Sequence, residues 1–359
     1  MKETRRMQFY PKNIGSHRKV SGRFPAARSL LARMFMILVL SCFCFALLRA
    51  PAVSGSGLGY PHDLLSVSFG SETHGWACGR WGTILHTSDG GKTWTKQNTG
   101  SIDLLTSISF VDAKTGWAVG DRGTILHTSD GGKTWVKQKS PVALLLMGVQ
   151  FLSPLKGWAV GEKTTIIHTD DGGKTWAVQF KDTDFILRGV SFCDEMNGWA
   201  CGEYGYIFHT TNGGATWTKQ AGRYVISDAT GEIEADDYLF QITAIDPRTA
   251  WAVGIDSIVR RTTDGGATWN KMNVTLPRTH IFAVTHNAGR IIMGGTGLLA
   301  SGRDNPGNVE PAKVDPPVTY GFIGGVCQRG KAGFAAVGKR GWIYFSNETG
   351  TSWHKVDVR

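Results

Sequence analysis

Cationic and aromatic side chains recur directly after a repeated motif of the type Gly-Trp-Ala-x-Gly or its degenerate copies. Arginines could converge on a carboxylate, and a tyrosine beside a glutamate could act as an activated nucleophile. The residues concerned are Arg80, Trp81, Arg122, Lys163, Glu203, Tyr204, Lys339 and Arg340. Because they occupy one position of a repeat and vary in type, they predict a binding surface more strongly than a single catalytic centre.

The repeat is a double motif, written GWACG followed by GTILHTSDGGKTW, that begins at Gly75. It recurs from Gly116 and Gly157, and more loosely from Gly198 and Ala250. The last glycine of the first motif precedes the final tryptophan by fifteen residues each time. The same spacing identifies two degenerate copies, one from Gly294 to Val309 that keeps Asp304, and one from Gly338 to Trp353 with Glu348 in place of the aspartate.

Seven units of this length fill the chain from about Leu58 to Arg359, because the anchoring glycines lie 41, 41, 41, 52, 40 and 44 residues apart. Each unit contains short apolar runs separated by glycine and polar clusters, which predicts four antiparallel strands. Circular stacking buries both faces of such sheets. The sequence therefore predicts an all-β fold, a seven-bladed β-propeller of four-stranded antiparallel blades. We expect a single propeller domain over residues 53–359.

A structural role is predicted for the acidic or amide residue that recurs in the second motif. An aspartate here can accept hydrogen bonds from its own turn, and the neighbouring glycines permit conformations that other residues avoid. The residues are Asp89, Asp130, Asp171, Asn212 and Asp264. The histidines of the third strand, His86, His127, His168 and His209, repeat in the same way. We therefore expect packing roles for them, with no metal site and no cofactor.

The 52-residue spacing places an insertion at about 221–241. It contains Arg223 and Tyr224, then a run of acids, and then Tyr238, Leu239 and Phe240. Three readings stay open for this segment: a solvated loop, a loop that contacts a partner, and a calcium site. Loops that interrupt a regular scaffold are common positions for binding residues, so Arg223 and Tyr224 join the predicted partner-binding set.

Residues 1–52 carry +9 of the net charge of +10, so the basic character belongs to a leader and not to the propeller. The leader also contains an apolar run of fifteen residues, Met34 to Leu48, followed by Ala50-Pro51-Ala52. This order predicts a secretory signal peptide or an N-terminal anchor, and a periplasmic or lumenal propeller. Nucleic acid is not an expected partner. A bridge between Cys193 and Cys201 is an open alternative to free thiols.

The segment Thr87-x-Asp89-x-Gly91-x-Thr93-Trp94 resembles the Asp-box, or BNR repeat, of sialidases, other glycosidases and non-catalytic propellers. The tandem double motif is most similar to the photosystem II stability and assembly factor propellers. That resemblance implies a propeller without cofactor that holds a membrane-protein intermediate during assembly. Photosynthetic members carry a clustered arginine surface, whereas the adjacent pair in this propeller sequence is Arg260-Arg261.

Two functions follow from these resemblances. The first is a non-catalytic exported propeller that binds a protein, such as a membrane protein or complex subunit. The alternative is an exported glycoside hydrolase of sialidase-like type, with carbohydrate as the ligand. A sialidase needs three arginines around one carboxylate and a tyrosine activated by a glutamate, so Arg80, Arg122, Arg340 and the Glu203-Tyr204 pair are the residues that would have to meet.

Overall fold

Each repeat folds into a small antiparallel sheet, because its apolar runs are too short for helices and are separated by glycine turns. The computed structural model describes residues 62–182, 184–227, 231–304 and 309–356. The leader predicted at 1–52 lies outside the described residues. Seven sheets of four antiparallel strands are present, one of them extended by a fifth strand, which confirms the predicted architecture.

The strands follow the repeats in chain order. Blade 1 contains Leu64–Phe69 (β1), Gly75–Gly79 (β2), Ile84–Thr87 (β3) and Thr95–Gln97 (β4). Blade 2 contains Leu105–Phe110 (β5), Gly116–Gly120 (β6), Ile125–Thr128 (β7) and Val136–Lys137 (β8). Blade 3 contains Leu146–Phe151 (β9), Gly157–Gly161 (β10), Thr165–Thr169 (β11) and Ala177–Phe180 (β12). Blade 4 contains Leu187–Phe192 (β13), Gly198–Gly202 (β14), Ile207–Thr210 (β15) and Thr218–Ala221 (β16).

A separate hairpin, Tyr224–Ile226 (β17) and Ile233–Ala235 (β18), lies between blades 4 and 5. Blade 5 contains Leu239–Asp246 (β19), Thr249–Gly254 (β20), Val259–Thr262 (β21) and Asn270–Lys271 (β22). Blade 6 contains Ile281–Asn287 (β23), Arg290–Gly295 (β24), Leu298–Arg303 (β25) and Glu310–Pro311 (β26). Lys313–Asp315 (β27) pairs in parallel with the outer strand of blade 7. Blade 7 contains Ile323–Gln328 (β28), Phe334–Gly338 (β29), Ile343–Ser346 (β30) and Ser352–Val356 (β31).

Single 3-10 turns join the second and third strands of four blades, at Asp121–Gly123, Glu203–Gly205, Ile255–Ser257 and Lys339–Gly341. The innermost strands β1 and β28 pack beside each other, so blades 7 and 1 close the ring. All four strands of blade 1 come from the N-terminal repeat and β28–β31 from the C-terminal one. Closure therefore uses no strand exchanged between the two ends.

Stacked aromatic side chains hold neighbouring blades together. Trp117 of β6 stacks on His127 of its own blade at 4.8 Å and on Phe151 of the next blade at 3.4 Å between ring centroids. Trp76 and Trp158 repeat this arrangement with Phe110 and Phe192. Burial lowers the pKa of His127, which favours the neutral ring that packs against tryptophan. The recurring histidines at these positions therefore have the packing geometry that the repeat predicted.

The Asp-box is a hydrogen-bonded turn, as the repeat predicted. In blade 2 one carboxylate oxygen of Asp130 accepts bonds from the Thr128 hydroxyl at 2.9 Å and the Thr134 N–H at 2.9 Å, and the other accepts from the Thr134 hydroxyl at 2.6 Å. These hydrogen bonds, led by the Thr134 hydroxyl, lower the pKa of Asp130 to about 2. Asn212 forms the equivalent turn in blade 4, with the Thr216 N–H at 2.9 Å.

A glutamine after the Asp-box turn of blades 1 to 4 connects that turn to the Asp-box of the next blade. The Gln97 amide donates to the Gly131 carbonyl at 2.8 Å, and its oxygen accepts from the Trp135 indole at 3.1 Å. Trp76 donates to the same Gly131 carbonyl at 3.2 Å. A Cβ at Gly132, where φ is +84°, would lie 2.0 Å from the Gln97 oxygen, so this position requires glycine.

The closing junction between blades 7 and 1 replaces these contacts with charged ones. Blade 7 has Ala335 in place of the second-strand tryptophan and Val356 in place of the glutamine. Arg329 instead donates to the Gly90 carbonyl of blade 1 at 2.7 Å, while its guanidinium lies 4.4 Å from the Phe345 ring.

The degenerate repeats differ from the sequence register in two details. In blade 7 the Asn347 side chain, not Glu348, accepts from the Thr351 N–H at 3.1 Å, so the residue that holds this turn lies one position earlier than the repeat spacing placed it. In blade 6 Asp304 accepts from the Trp251 indole of blade 5 at 2.6 Å and pairs with Arg261 at 3.2 Å. The alternative of a bridge between Cys193 and Cys201 is wrong, because both cysteines are free.

Adjacent threonines in the blade 5 Asp-box give a matched stability test. Thr262 is fully buried, accepts from the Gly266 N–H at 2.8 Å and donates to Asp264 at 2.8 Å, whereas Thr263 is exposed. We expect Thr262→Val to lower the free energy of unfolding by about 1–3 kcal/mol, because it leaves the buried Gly266 N–H without an acceptor. Thr263→Val should have little effect. Equal urea midpoints for the two variants would show that the box does not stabilise its blade.

Candidate functional site

The two faces of the propeller differ in their variability. The turns between second and third strands emerge on the same face as the links between blades, whereas the Asp-boxes emerge on the opposite face. Backbone hydrogen bonds join each turn to the following or preceding link, as from the Gly123 N–H to the Leu144 carbonyl at 2.7 Å. We call the face with the turns and links the variable face.

Most of the predicted binding residues lie at the tips of these turns. A left-handed backbone, with φ between 52° and 58°, is adopted at one position of six blades, by Trp81, Arg122, Lys163, Tyr204, Asp256 and Arg340. Non-glycine residues rarely adopt this conformation, and it carries a strain cost that the surrounding turn must offset. The same turn therefore presents five types of side chain in these six blades.

Five basic residues on blades 7, 1, 2 and 3 form what we call the basic arc: Lys339, Arg340, Arg80, Arg122 and Lys163. Two aspartates of the links position its arginines. Arg80 pairs with Asp63 at 3.4 Å, and Asp63 also accepts from the Arg340 backbone N–H at 3.0 Å. Arg122 pairs with the buried Asp103 while 68% of its own side chain stays exposed.

Exposed aromatic rings accompany the basic arc. Trp81 is 49% exposed beside Arg80, and Tyr320, in the link before blade 7, is 92% exposed. The Lys339 ammonium donates to the Tyr320 carbonyl at 2.6 Å, which fixes the tyrosine next to the arc. Guanidinium groups with neighbouring aromatic rings are the side chains that dominate many protein interfaces.

Five aromatic residues of blade 4 and the segments beside it form what we call the tyrosine cluster: Phe185, Tyr204, Tyr206, Tyr224 and Tyr238. Tyr204 lies 4.5 Å from Tyr224 and 5.1 Å from both Phe185 and Tyr238, measured between ring centroids. Phe185 stacks on Tyr206 at 4.9 Å. All five are half-buried, so each ring leaves an edge at the surface.

Glu203 lies beneath this cluster and is almost fully buried. Its carboxylate accepts from the Ile186 N–H at 3.1 Å. Burial raises the pKa of Glu203; Arg188 and the Ile186 N–H oppose that shift, and the Asp184 and Glu162 carboxylates add to it. The Tyr204 ring instead contacts Tyr238, at 5.1 Å between centroids. Glu203 and Tyr204 are thus engaged with different partners, although they are adjacent in sequence.

Comparison with known proteins identifies the repeat. Residues 56–144 and 135–223 match the family described as photosynthesis system II assembly factor YCF48. The resemblance to the photosystem II assembly factor family is thereby confirmed. Among curated protein sequences, none matches the chain.

Solved structures similar to this chain share its fold. YCF48 bound to a D1 peptide is 19% identical, with a TM-score of 0.64 over 82% of this chain and 98% of that one. YCF48 from Cyanidioschyzon merolae is 18% identical, with a TM-score of 0.63 over 80% and 97%. The GH74 xyloglucanase from Xanthomonas campestris is 11% identical, with a TM-score of 0.65 over 85% of this chain and 56% of the enzyme.

The sequence-predicted site residues fall into two groups. The Arg80 guanidinium pairs with Asp63, which also accepts from the Arg340 backbone N–H, whereas the Arg122 guanidinium pairs with a different aspartate, Asp103. Tyr204 and Tyr224 meet in the tyrosine cluster. The partner-binding role of these residues stays a prediction.

Sequence reasoning missed Phe185, Tyr206 and Tyr320 because they lie outside the repeated turn position. For Phe185 and Tyr320 the signal is an aromatic residue in a link between blades. For Tyr206 it is an aromatic residue directly before the third strand, where blades 1 to 3 have threonine. Within the parts of the chain that the structure describes, no three His, Cys, Asp or Glu side chains are grouped to hold a metal ion. No helix among those residues has the length and apolar character needed to cross a membrane.

The raised pKa of Glu203 gives a pH-dependent prediction. A carboxyl whose pKa is raised in the folded state stabilises the fold below its unfolded value, and this stability is lost as the pH rises through the folded value. We expect Glu203→Gln to raise the Tm at pH 8 relative to wild type, with a smaller change at pH 4, because glutamine keeps an acceptor for the Ile186 N–H without a buried charge.

Glu162→Gln provides the matched control for this test. Glu162 occupies the same turn position in blade 3 and accepts from the Leu145 N–H at 3.1 Å, but it is more exposed. An equal effect of both substitutions, or a Glu203→Gln gain that does not depend on pH, would contradict the assignment of a buried charge penalty to Glu203.

Proposed function

We propose that the chain is an exported, non-catalytic propeller that binds a protein partner through its variable face. The partner class that we propose is a membrane protein or a subunit of a membrane complex during assembly. The basic segment and the apolar run of the leader sequence support export of the propeller from the cytoplasm to the periplasm or lumen. Fractionation tests this part, and a cytoplasmic protein that retains Met1 would contradict it.

The contrast between the two faces carries the proposal. On the Asp-box face, blades 1, 2, 3 and 5 present the same turn, in which a threonine and an aspartate make the same hydrogen bonds within about 0.1 Å. A surface that repeats itself offers several equivalent positions for one ligand. The variable face instead presents tryptophan, arginine, lysine and tyrosine at equivalent positions. A partner whose own side chains complement this set can therefore bind in one orientation.

The comparisons support a peptide as the kind of ligand. One similar structure is that of YCF48 bound to a D1 peptide, so a propeller of this fold binds a peptide in that protein. In this chain the basic arc offers exposed guanidinium and ammonium groups beside Trp81 and Tyr320. We therefore propose an acidic segment of the partner as the ligand of the basic arc.

The glycosidase alternative has a specific observation in its favour, which is the fold shared with the xyloglucanase. The arrangement of side chains supports the non-catalytic proposal better. Glu203 accepts from the Ile186 N–H, and among the described residues no hydrogen bond joins its carboxylate to the Tyr204 hydroxyl. The Arg80 and Arg122 guanidinium groups pair with different aspartates.

Partner capture tests the basic arc. We expect the triple variant Arg122→Gln, Lys163→Gln and Arg340→Gln to capture less membrane protein from detergent-solubilised envelope than wild type, with captured proteins identified by mass spectrometry. Glutamine is chosen because a glutamate at position 122 would oppose the buried Asp103. The expected loss is about tenfold, since interface arginines each contribute on the order of 1 kcal/mol or more.

The control for capture is a pair of lysines on the Asp-box face, Lys92→Gln with Lys133→Gln. Both lysines are exposed and follow the glycines of their Asp-boxes. If capture depends on this pair and not on the basic arc, the proposed face is wrong. Equal Tm values among the variants are required before capture is compared.

Turnover assays test the non-catalytic part of the proposal. We expect no release of fluorophore from a fluorogenic sialoside and no cleavage of xyloglucan oligosaccharides by the full chain. Turnover that is lost in Glu203→Gln or Tyr204→Phe would overturn the proposal in favour of the glycoside hydrolase. The Glu162→Gln variant is the control for a nonspecific effect of charge removal.

A further inference from the structure

The hairpin between blades 4 and 5 has one apolar face. Tyr224 pairs with Ala235 and Ile226 pairs with Ile233 across β17 and β18. Directly opposed residues of an antiparallel pair project to the same side, so these four side chains share one face. Val225 and Glu234 project to the other side. The apolar residues stay at the surface, because Ile226 is 52% and Ile233 is 50% exposed.

The base of the hairpin is fixed to the tyrosine cluster. The Arg223 N–H donates to the Tyr204 carbonyl at 3.1 Å, and the Asp236 N–H donates to the Arg223 carbonyl at 2.9 Å. The Arg223 guanidinium pairs with Glu234 at 2.5 Å. The Tyr224 ring lies 4.5 Å from Tyr204 and 5.5 Å from Phe185. The apolar face therefore begins on the tyrosine cluster and continues past it to Ile226 and Ile233.

Acidic side chains lie beside this apolar surface. Asp182, Asp184 and Asp237 are exposed near the cluster, and Glu232 is exposed on the hairpin. Glu234 projects to the other side, where it pairs with Arg223. Arg260 lies 3.9 Å from Asp236, and Lys181, next to Asp182, is the exposed basic residue of this segment.

The aromatic rings of this region already hold cations of the chain itself. The Lys219 ammonium lies 4.4 Å from the centroid of the Tyr206 ring. The Arg188 guanidinium lies 5.4 Å from the Phe240 ring, at the start of blade 5. Cations are attracted to the faces of aromatic rings, and carboxylates nearby strengthen the preference for positive charge. This region thus has the chemistry of a surface for lysine or arginine side chains.

We propose that the apolar face of the hairpin and the tyrosine cluster together bind a basic segment of a protein partner that also carries aliphatic side chains. We call this surface the acidic cleft. Its aliphatic contacts are Ile226 and Ile233, and its charged contacts are Asp184 and Asp237. The inference rests on the proposed function, because it assigns a second contact area on the same variable face.

Charge complementarity selects this occupant over others. The basic arc lies on blades 7, 1, 2 and 3, and the acidic cleft lies beside blade 4, so the variable face is divided by charge. A partner with an acidic and a basic segment would be held in one orientation. An anionic lipid surface would be repelled by the exposed carboxylates. A second copy would bring equal acidic surfaces together.

Two synthetic peptides test the acidic cleft directly. One is a labelled peptide of alternating lysine and leucine, and its counterpart has glutamate in place of lysine. We compare the two peptides on the triple variant Arg122→Gln, Lys163→Gln and Arg340→Gln, because the basic arc would itself bind the glutamate peptide. We expect this variant to bind the lysine peptide about tenfold more tightly than the glutamate peptide by fluorescence anisotropy. We expect Ile226→Ser with Ile233→Ser, and separately Asp184→Asn with Asp237→Asn, to weaken the lysine peptide by about fivefold or more.

Matched variants separate this inference from the proposed function. Leu155→Ser replaces an aliphatic residue that is 58% exposed on the Asp-box face, and it should leave binding of the lysine peptide unchanged. Arg122→Gln in the basic arc should also leave it unchanged. If the hairpin and aspartate variants bind the lysine peptide as wild type does, or the glutamate peptide binds the basic-arc triple variant as tightly as the lysine peptide does, the acidic cleft is wrong.

Two further outcomes would also overturn the acidic cleft. Cosedimentation with phosphatidylcholine or phosphatidylglycerol vesicles that requires Ile226 and Ile233 would assign the hairpin to a lipid surface. A dimer in sedimentation velocity that these substitutions dissociate would assign it to a second copy. In each case, capture of envelope protein that depends on Arg122, Lys163 and Arg340 would still support the proposed function. Conversely, a failure of these three residues to affect capture would contradict the proposed function without changing the peptide result.

Discussion

The packing of one tryptophan between two blades is the interaction on which the rest of this propeller depends. Trp76, Trp117 and Trp158 each stack on a histidine of their own blade and a phenylalanine of the next. A buried aromatic ring contributes a large apolar area, and stacked pairs add about 0.5–1.5 kcal/mol beyond area burial. The indole N–H must then find an acceptor, and the glycine carbonyl of the neighbouring Asp-box provides it.

This requirement explains the uniformity of the Asp-box face. The box must present its first glycine carbonyl toward the preceding blade, and its second glycine must leave room for the glutamine that binds the same carbonyl. The aspartate and threonines hold the turn in this shape. Where the tryptophan is absent, as in blade 7, Arg329 reaches the same carbonyl. The contact is kept although the residue that makes it changes.

The turns of the variable face do not have to present a carbonyl to a buried tryptophan, so their side chains are less restricted. Its turns need only a left-handed residue at the tip and backbone hydrogen bonds to the adjacent link, and neither depends on the identity of the tip side chain. Arginine, lysine, tryptophan and tyrosine can therefore occupy equivalent positions. The division of this face into the basic arc and the acidic cleft follows from which residues occupy those turns and from the hairpin inserted after blade 4.

The sequence by itself determined the number of blades and their strand order, because units of 40 to 52 residues can be counted along the chain and each hairpin joins neighbouring segments. The hydrogen bonds of the Asp-box are also local, since they lie within one turn of a few residues. Only the tertiary structure decided that Asp63 contacts both Arg80 and the Arg340 backbone, and that Phe185 and Tyr206 complete the tyrosine cluster. These contacts join residues from different blades or from links, so their distances depend on how the blades pack around the ring and not on local sequence. The use of Asn347 in place of Glu348 is a local contact, but the repeat spacing alone did not distinguish these two neighbours.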